Sequence, residues 1–231
     1  MRALRTTVFA GHYGSGKTTL ALSYAAWLRC AGHRVTVCDL DIVNPYFRAA
    51  DAREFLKQKD IGLISSDYAN TNLEAPSVSP EAQAAFDDAG LYAVIDLGGD
   101  DRGALALGRY AKYLNLAAGQ DAEYEMLLVA NRCRPLTRDA GSLLEIKDGI
   151  ERASRTKFTG LVNNTNLGAK TTPEDIIDSL GFALELEIVL GLPLKMTAVN
   201  AALISPELTD FWENHAEVFP VRPHRTFAFP I

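Results

Sequence analysis

Eight residues near the start of the chain, Gly11-His12-Tyr13-Gly14-Ser15-Gly16-Lys17-Thr18, match the spacing G-x-x-x-x-G-K-[ST]. Glycines at these places let successive backbone N–H groups turn inward around phosphates, and a following helix would add the positive end of its dipole. Lys17 is expected to reach the β- and γ-phosphates, and Thr18 to give its hydroxyl to Mg²⁺. Thr19 would meet the α-phosphate from the first helical turn. The expected phosphate-binding set is therefore Gly11, His12, Tyr13, Gly14, Ser15, Gly16, Lys17, Thr18 and Thr19.

Carboxylates are the second ingredient. The run "VTVCDLDIVNP" places Asp39 and Asp41 two residues apart, on one face of a strand end. "YAVIDLGGDD" places Asp96 at the tip of an apolar strand, followed by two glycines. An acid in that position beside a phosphate loop is a Mg²⁺-water ligand. Asp100 and Asp101 are expected to cap the next helix.

These residues need a scaffold that gathers strand ends. Strand signals at Thr7–Ala10, "RVTVCDLD", "IGLISS", "LYAVIDLGG", "EMLLVAN", "TGLVNN" and "LPLKMTAV" alternate with helical stretches. The helix after the loop, "KTTLALSYAAWLRCAG", carries Leu20, Tyr24, Trp27 and Leu28 at helical spacing and stops at Gly32. Pro173 and Pro206 mark first helical turns, with Thr172 and Ser205 as N-caps. "SPELTDFWENHAEVF" reads as the final helix, and "PVRPHRTFAFPI" as an extended strap. Strands without polar alternation are buried on both faces of a parallel sheet. The expected fold is α/β: a doubly wound, mainly parallel sheet flanked by helices, in one domain spanning residues 1–231. The stretch "SSDYANTNLEAPSVSPEAQ" is the longest irregular piece and is expected to be functional.

With 48% hydrophobic and 23% charged residues, the composition is that of a globular protein, and a net charge of −6 argues against sequence-independent DNA binding. Cys30, Cys38 and Cys133 form no C-x-x-C pair and are expected to be small buried residues in a reducing compartment; one per subunit could instead share a cluster across a dimer. No stretch approaches the ~20 apolar residues of a membrane span, and the N-terminus has no signal-peptide pattern, so a cytoplasmic location is expected.

The phosphate loop, "DLDIVNP" after strand two and "DLGG" after the later strand together resemble the MinD/ParA/CobQ/CobB nucleotide-binding family. That family is a P-loop class shared with the nitrogenase iron protein and dethiobiotin synthetase. The resemblance implies that Asp41 positions the attacking water, Asp39 helps organise the Mg²⁺ shell and Asp96 is the Walker B acid. The implied metal set is Thr18, Asp39, Asp41 and Asp96, and the implied catalytic pair is Lys17 and Asp41. It further implies an adenine-reading asparagine at Asn164, with Asn163 as the neighbouring alternative, and a base-lining segment beginning at Pro193. No N-K-x-D motif stands where guanine readers place one, so ATP with Mg²⁺ is the expected ligand.

The chain departs from the family at His12, where many members carry a second lysine that crosses a dimer interface. His12 either donates to phosphate when protonated or packs against the loop. Asn44, Arg48, Asn70, Asn72, Asn131, Arg132 and Arg134 fall at strand ends, where two or three could face a substrate or partner near the γ-phosphate. Tyr46 and Phe47 are expected to pack rather than stack on a base. The functional expectation is an ATPase that switches conformation or drives a partner, and the resemblance leans towards a homodimer. The alternatives are an ATP-dependent small-molecule ligase or kinase, and a nucleotide sensor that does not turn over.

Overall fold

Eight parallel strands lie in the order β3-β2-β4-β1-β5-β6-β7-β8. The computed structural model describes residues 3–41, 49–65, 87–99, 101–116 and 124–223. Along the chain these form β1 (Thr6–Ala10), α1 (Lys17–Cys30), β2 (Arg34–Leu40), a short 3-10 turn leading into α2 (Arg53–Gln58), and β3 (Gly62–Ser65). Next come β4 (Leu91–Leu97), α3 (Asp101–Leu116), β5 (Tyr124–Ala130), α4 (Ala140–Ser154) and β6 (Gly160–Asn163). The last third holds α5 (Pro173–Ile177), α6 (Leu180–Leu190), β7 (Leu194–Asn200), α7 (Pro206–Trp212) and β8 (Glu217–Val221).

The apolar strands bury both faces, as parallel pairing between helices requires. Val8, Ala10, Ile95, Leu97, Met126 and Leu128 point into one core with α3, α4 and α6. Their alternates Phe9, Val37, Val94, Leu127 and Val129 point into a second core under α1. The local signals for helix ends are obeyed. Thr172 and Asp175 form a reciprocal capping box at α5, and the Ser205 hydroxyl accepts from Leu208 N at α7. Gly32 follows α1 at φ 90.

The C-terminal region departs from the sequence expectation. The predicted helix over 205–219 ends at Trp212, and Glu217–Val221 forms β8 at the sheet edge instead. Phe219 buries against Tyr24 and Trp27, with ring centroids 5.7 and 6.2 Å apart. That aromatic contact and the alternating burial of five residues outweigh helix continuation. The remainder of the expected strap, 224–231, lies outside the described residues, as do Asn44, Tyr46, Phe47, Arg48, Asn70, Asn72 and Asp100. Asp101 opens α3 as its first residue rather than preceding it as a cap.

Only Cys38 is buried, and burial pushes its thiol up to about 12; Cys30 is exposed at the end of α1, and Cys133 is half-buried. Among the described residues no helix is long and apolar enough to cross a membrane.

Candidate functional site: a phosphate cradle facing three buried carboxylates

β1 runs between β4 and β5, so the loop leaving its carboxyl end emerges at the middle of the sheet. The chain turns through Gly11–Gly16 and enters α1 directly. Gly16 occupies the N-cap position in the left-handed region (φ 91), no side chain caps the helix, and no acid sits in its first turn. A helix start normally satisfies its free N–H groups with a side chain; here no side chain does so, which is the arrangement of a helix start able to receive an anion. Gly16 is also required sterically, because a Cβ there would overlap the Asn164 amide nitrogen.

Lys17 is 3% exposed, with Nζ 3.8 Å from Asp41 Oδ2 and 3.5 Å from the His12 carbonyl, to which it donates. Asp39 and Asp96 are register partners on adjacent parallel strands, and both are fully buried on the α1 side. Asp39 Oδ1 accepts from Asp41 N at 3.1 Å. Both Asp96 carboxylate oxygens are buried, and among the described residues neither has a partner at full hydrogen-bond geometry, although the Thr18 hydroxyl is near enough to influence the carboxyl. Burial raises the Asp96 carboxyl to about 7, opposed first by Lys17 and reinforced by Asp39; the Thr18 hydroxyl draws it down and Asp41 pushes it up. An orphaned buried carboxylate beside a threonine hydroxyl at a helix start fits a hard divalent cation. Among the described residues no three His, Cys, Asp or Glu side chains form a self-contained metal cluster.

The other expected residues divide. His12 and Tyr13 sit in the loop, with His12 Nδ1 donating to the Tyr13 carbonyl at 3.1 Å, so the ring packs on its own loop. Tyr13 is 49% exposed. Ser15 is buried, and its hydroxyl has no partner. Asn164 is brought to the loop, donating from Nδ2 to the Ser15 carbonyl at 2.6 Å. Asn163 turns away: Nδ2 donates to Ser179 Oγ at 2.7 Å, and Oδ1 accepts from Thr165 N and Oγ1. Pro193 is a correction. It precedes β7, and its carbonyl accepts from Leu161 N at the start of β6, so it lies at the amino edge of the sheet, opposite the loop. In a parallel sheet only residues after a strand reach the ligand edge.

Asn131 and Arg132 are structural in this fold. Asn131 is fully buried; its Oδ1 accepts from Cys133 N and Asn166 N, and its Nδ2 donates to the Asn166 carbonyl. Arg132 Nη1 donates to the Asp178 carbonyl at 2.8 Å. Asn166 in turn donates from Nδ2 to the Asn164 carbonyl at 2.7 Å. A hydrogen-bonded chain of asparagines thus runs from the β5 loop through the β6 loop to the phosphate loop.

Gly99 went unrecognised in the sequence. A Cβ there would overlap the Gly11 carbonyl and stand 2.9 Å from His12 Cα, so the loop after Asp96 lies directly on the cradle. The signal was the pair of glycines after an apolar strand, whose meaning depends on β4 being the neighbour of β1.

No protein-family model matches the sequence, and no curated protein matches it. Among solved structures, the chain is similar to FtsY from Mycoplasma mycoides: TM-score 0.55, 18% identity, covering 85% of this chain and 60% of that one. It is also similar to the signal recognition particle receptor FtsY from Elizabethkingia anophelis (0.54, 17%, covering 93% and 66%) and to that receptor in complex with GDP (0.50, 18%, covering 87% and 58%). The chain spans about 60% of the length of the first of these. At such identities the likeness is one of fold and does not single out the MinD/ParA branch. The chain has the P-loop NTPase fold, an all-parallel sheet flanked by helices with its phosphate loop after the first strand.

Proposed function

We propose that this chain binds Mg-ATP at the Gly11–Thr19 loop and hydrolyses it, using the change to switch conformation or drive a partner. The observation that carries this is the convergence of an uncapped helix start, a buried lysine and an orphaned carboxylate pair of oxygens on Asp96. In the ligand-free chain Lys17 leans towards Asp41. A triphosphate in the cradle draws Lys17 to its β- and γ-oxygens, which frees the Asp41 carboxylate to orient the attacking water. Mg²⁺, when bound, supplies charge neutralisation, and Thr18 with Asp96, Asp39 and Asp41 is the set that would hold it. Gly99, resting on the loop, would sense whether the third phosphate is present.

Adenine is preferred for a chemical reason. A guanine edge offers N–H donors that need an acid, and the stretch after β6, Asn164-Thr165-Asn166-Leu167-Gly168, holds none; Asn166 is engaged at both ends, Oδ1 accepting from Gly168 N and Nδ2 donating to the Asn164 carbonyl. The second N–H and the oxygen of the Asn164 amide suit the donor–acceptor edge of adenine. Of the residues a small-molecule ligase would use, Arg132 is engaged with the Asp178 carbonyl, and Arg48, Asn70 and Asn72 lie outside the described residues.

Calorimetric titration with Mg-ATP and Mg-GTP tests the assignment. Lys17→Ala is expected to weaken Mg-ATP binding at least ~100-fold, and Asp41→Asn to keep binding while lowering phosphate release about 100-fold or more. A wild-type chain that binds neither nucleotide, or a Lys17→Ala chain that binds as well as wild type, overturns it.

A further inference from the structure

A second protein cation lies beside the glycine-rich loop in the same chain. Three buried carboxylates, Asp39, Asp41 and Asp96, share the site with Lys17, the one buried cation among the described residues, whose Nζ lies 3.8 Å from Asp41 Oδ2. A triphosphate adds further negative charge, and His12 offers no lysine in the loop; its Nδ1 is tied to Tyr13. The loop after β5 supplies the alternative. It is held rigidly: Arg134 N donates to the Asn131 carbonyl at 3.0 Å, Thr137 N donates to the Arg134 carbonyl at 3.0 Å, and the Thr137 hydroxyl donates to the Asn131 carbonyl at 2.6 Å. Of its two forward arginines, Arg132 is engaged with the Asp178 carbonyl. Arg134 instead lies against the cradle. A Cβ on Gly14, at φ 77 in the middle of the phosphate loop, would stand 3.9 Å from both Arg134 Cδ and Nε. Among the described residues its guanidinium has no hydrogen bond or ion pair, and the residue is exposed.

We propose that Arg134 closes in cis over the phosphate chain and stabilises the charge that develops during phosphoryl transfer. This rests on the nucleotide assignment above. In hydrolysis the bond from the γ-phosphorus to the β–γ bridging oxygen breaks. The water oxygen bonds to that phosphorus, the water's proton leaves with the released phosphate or to solvent, and the bridging oxygen takes the electron pair as part of ADP. A planar guanidinium beside Gly14 meets that growing charge with two N–H donors, which a point-charge ammonium does not reproduce. A partner-supplied arginine accelerates related chemistry by ~10³–10⁵, and one held by the same fold needs no partner to be present.

The test compares wild type with Arg134→Ala, Arg134→Lys, Arg132→Ala and Lys17→Ala. Turnover, the Kd for Mg-ATP, and the Kd for Mg-ADP with and without aluminium fluoride are measured for each. Arg134→Ala is expected to lower turnover by about 100-fold, to change the Mg-ATP Kd by less than about fivefold, and to lose the tightening that aluminium fluoride gives Mg-ADP. Arg134→Lys does not restore that tightening, and Arg132→Ala behaves as wild type. The proposal is overturned if Arg134→Ala keeps the aluminium fluoride tightening, if wild type shows none, or if Arg132→Ala loses as much. Lys17→Ala separates the two levels. Mg-ATP binding that depends on Lys17, together with an aluminium fluoride tightening that survives in Arg134→Ala, sinks this inference and leaves the assignment standing, whereas a wild type that binds no nucleotide sinks both.

Discussion

Replacing Asp96 with asparagine should stabilise the ligand-free chain and at the same time disable its metal site. Asp96 is fully buried with both oxygens orphaned, and burial lifts its carboxyl from 3.8 to about 7. In the unfolded chain the group ionises near its ordinary value. Between about pH 4 and 7 the folded state therefore holds a proton that the unfolded state has lost, and stability falls as pH rises through that window. At pH 8 the ionised carboxylate costs the folded state up to about 4 kcal/mol, the free-energy equivalent of that displacement. An asparagine carries no such charge, so the gain is absent near pH 4 and complete above pH 7. Allowing for relaxation around the site, about 2–4 kcal/mol is expected at pH 8, or roughly 6–12 °C in melting temperature for a chain of this size. Thermal melts in EDTA at pH 4.5, 6 and 8 read it directly. Added Mg-ATP should then raise the melting temperature of wild type and leave Asp96→Asn nearly unmoved. A variant that melts no higher than wild type at pH 8 in EDTA, or whose gain does not vary with pH, refutes the reasoning.

Asn131→Ala removes three hydrogen bonds from a fully buried position and strands their partners; a loss of about 2–4 kcal/mol should appear as a lower urea midpoint with an unchanged slope. Gly99→Ala pushes a methyl group into the Gly11 carbonyl, so nucleotide affinity measured by calorimetry should fall about tenfold or more while far-ultraviolet circular dichroism stays native. Phe219→Ala empties a buried ring site beneath Tyr24 and Trp27; a loss of about 3–4 kcal/mol and faster amide exchange across Glu217–Val221 are expected by hydrogen-exchange mass spectrometry.

What sequence could reveal here followed from how local each determinant is. The glycine-rich turn between β1 and α1, the capping box at Thr172 and the apolar strands are set by residues close together along the chain, and each lies where its pattern placed it. β8 escaped because Glu217–Val221 follows a genuine helix at once, and its strand character comes from Phe219 meeting α1, almost two hundred residues earlier. Asn131 looked like a ligand-facing residue because it ends a strand. Only the adjacency of β5 and β6 shows that its amide is consumed by the neighbouring loop. Pro193 was misplaced for a topological reason: the segment that reaches the ligand edge follows β7 and cannot precede it. Gly99 needed β4 beside β1 before its missing side chain had a meaning.

The asparagine chain linking three loops has a kinetic consequence. Asn131 fastens the β5 loop to Asn166, Asn166 holds Asn164, and Asn164 holds Ser15, so this side of the cradle is assembled before any ligand arrives. Little ordering entropy then remains to be lost there on association. Under the proposed nucleotide reading, capture on that side should be a single fast encounter, and a slower step after mixing would fall to the opposite side, where Lys17 has to leave Asp41. The protein would thus discriminate diphosphate from triphosphate by how long it holds each, not by how quickly it finds them.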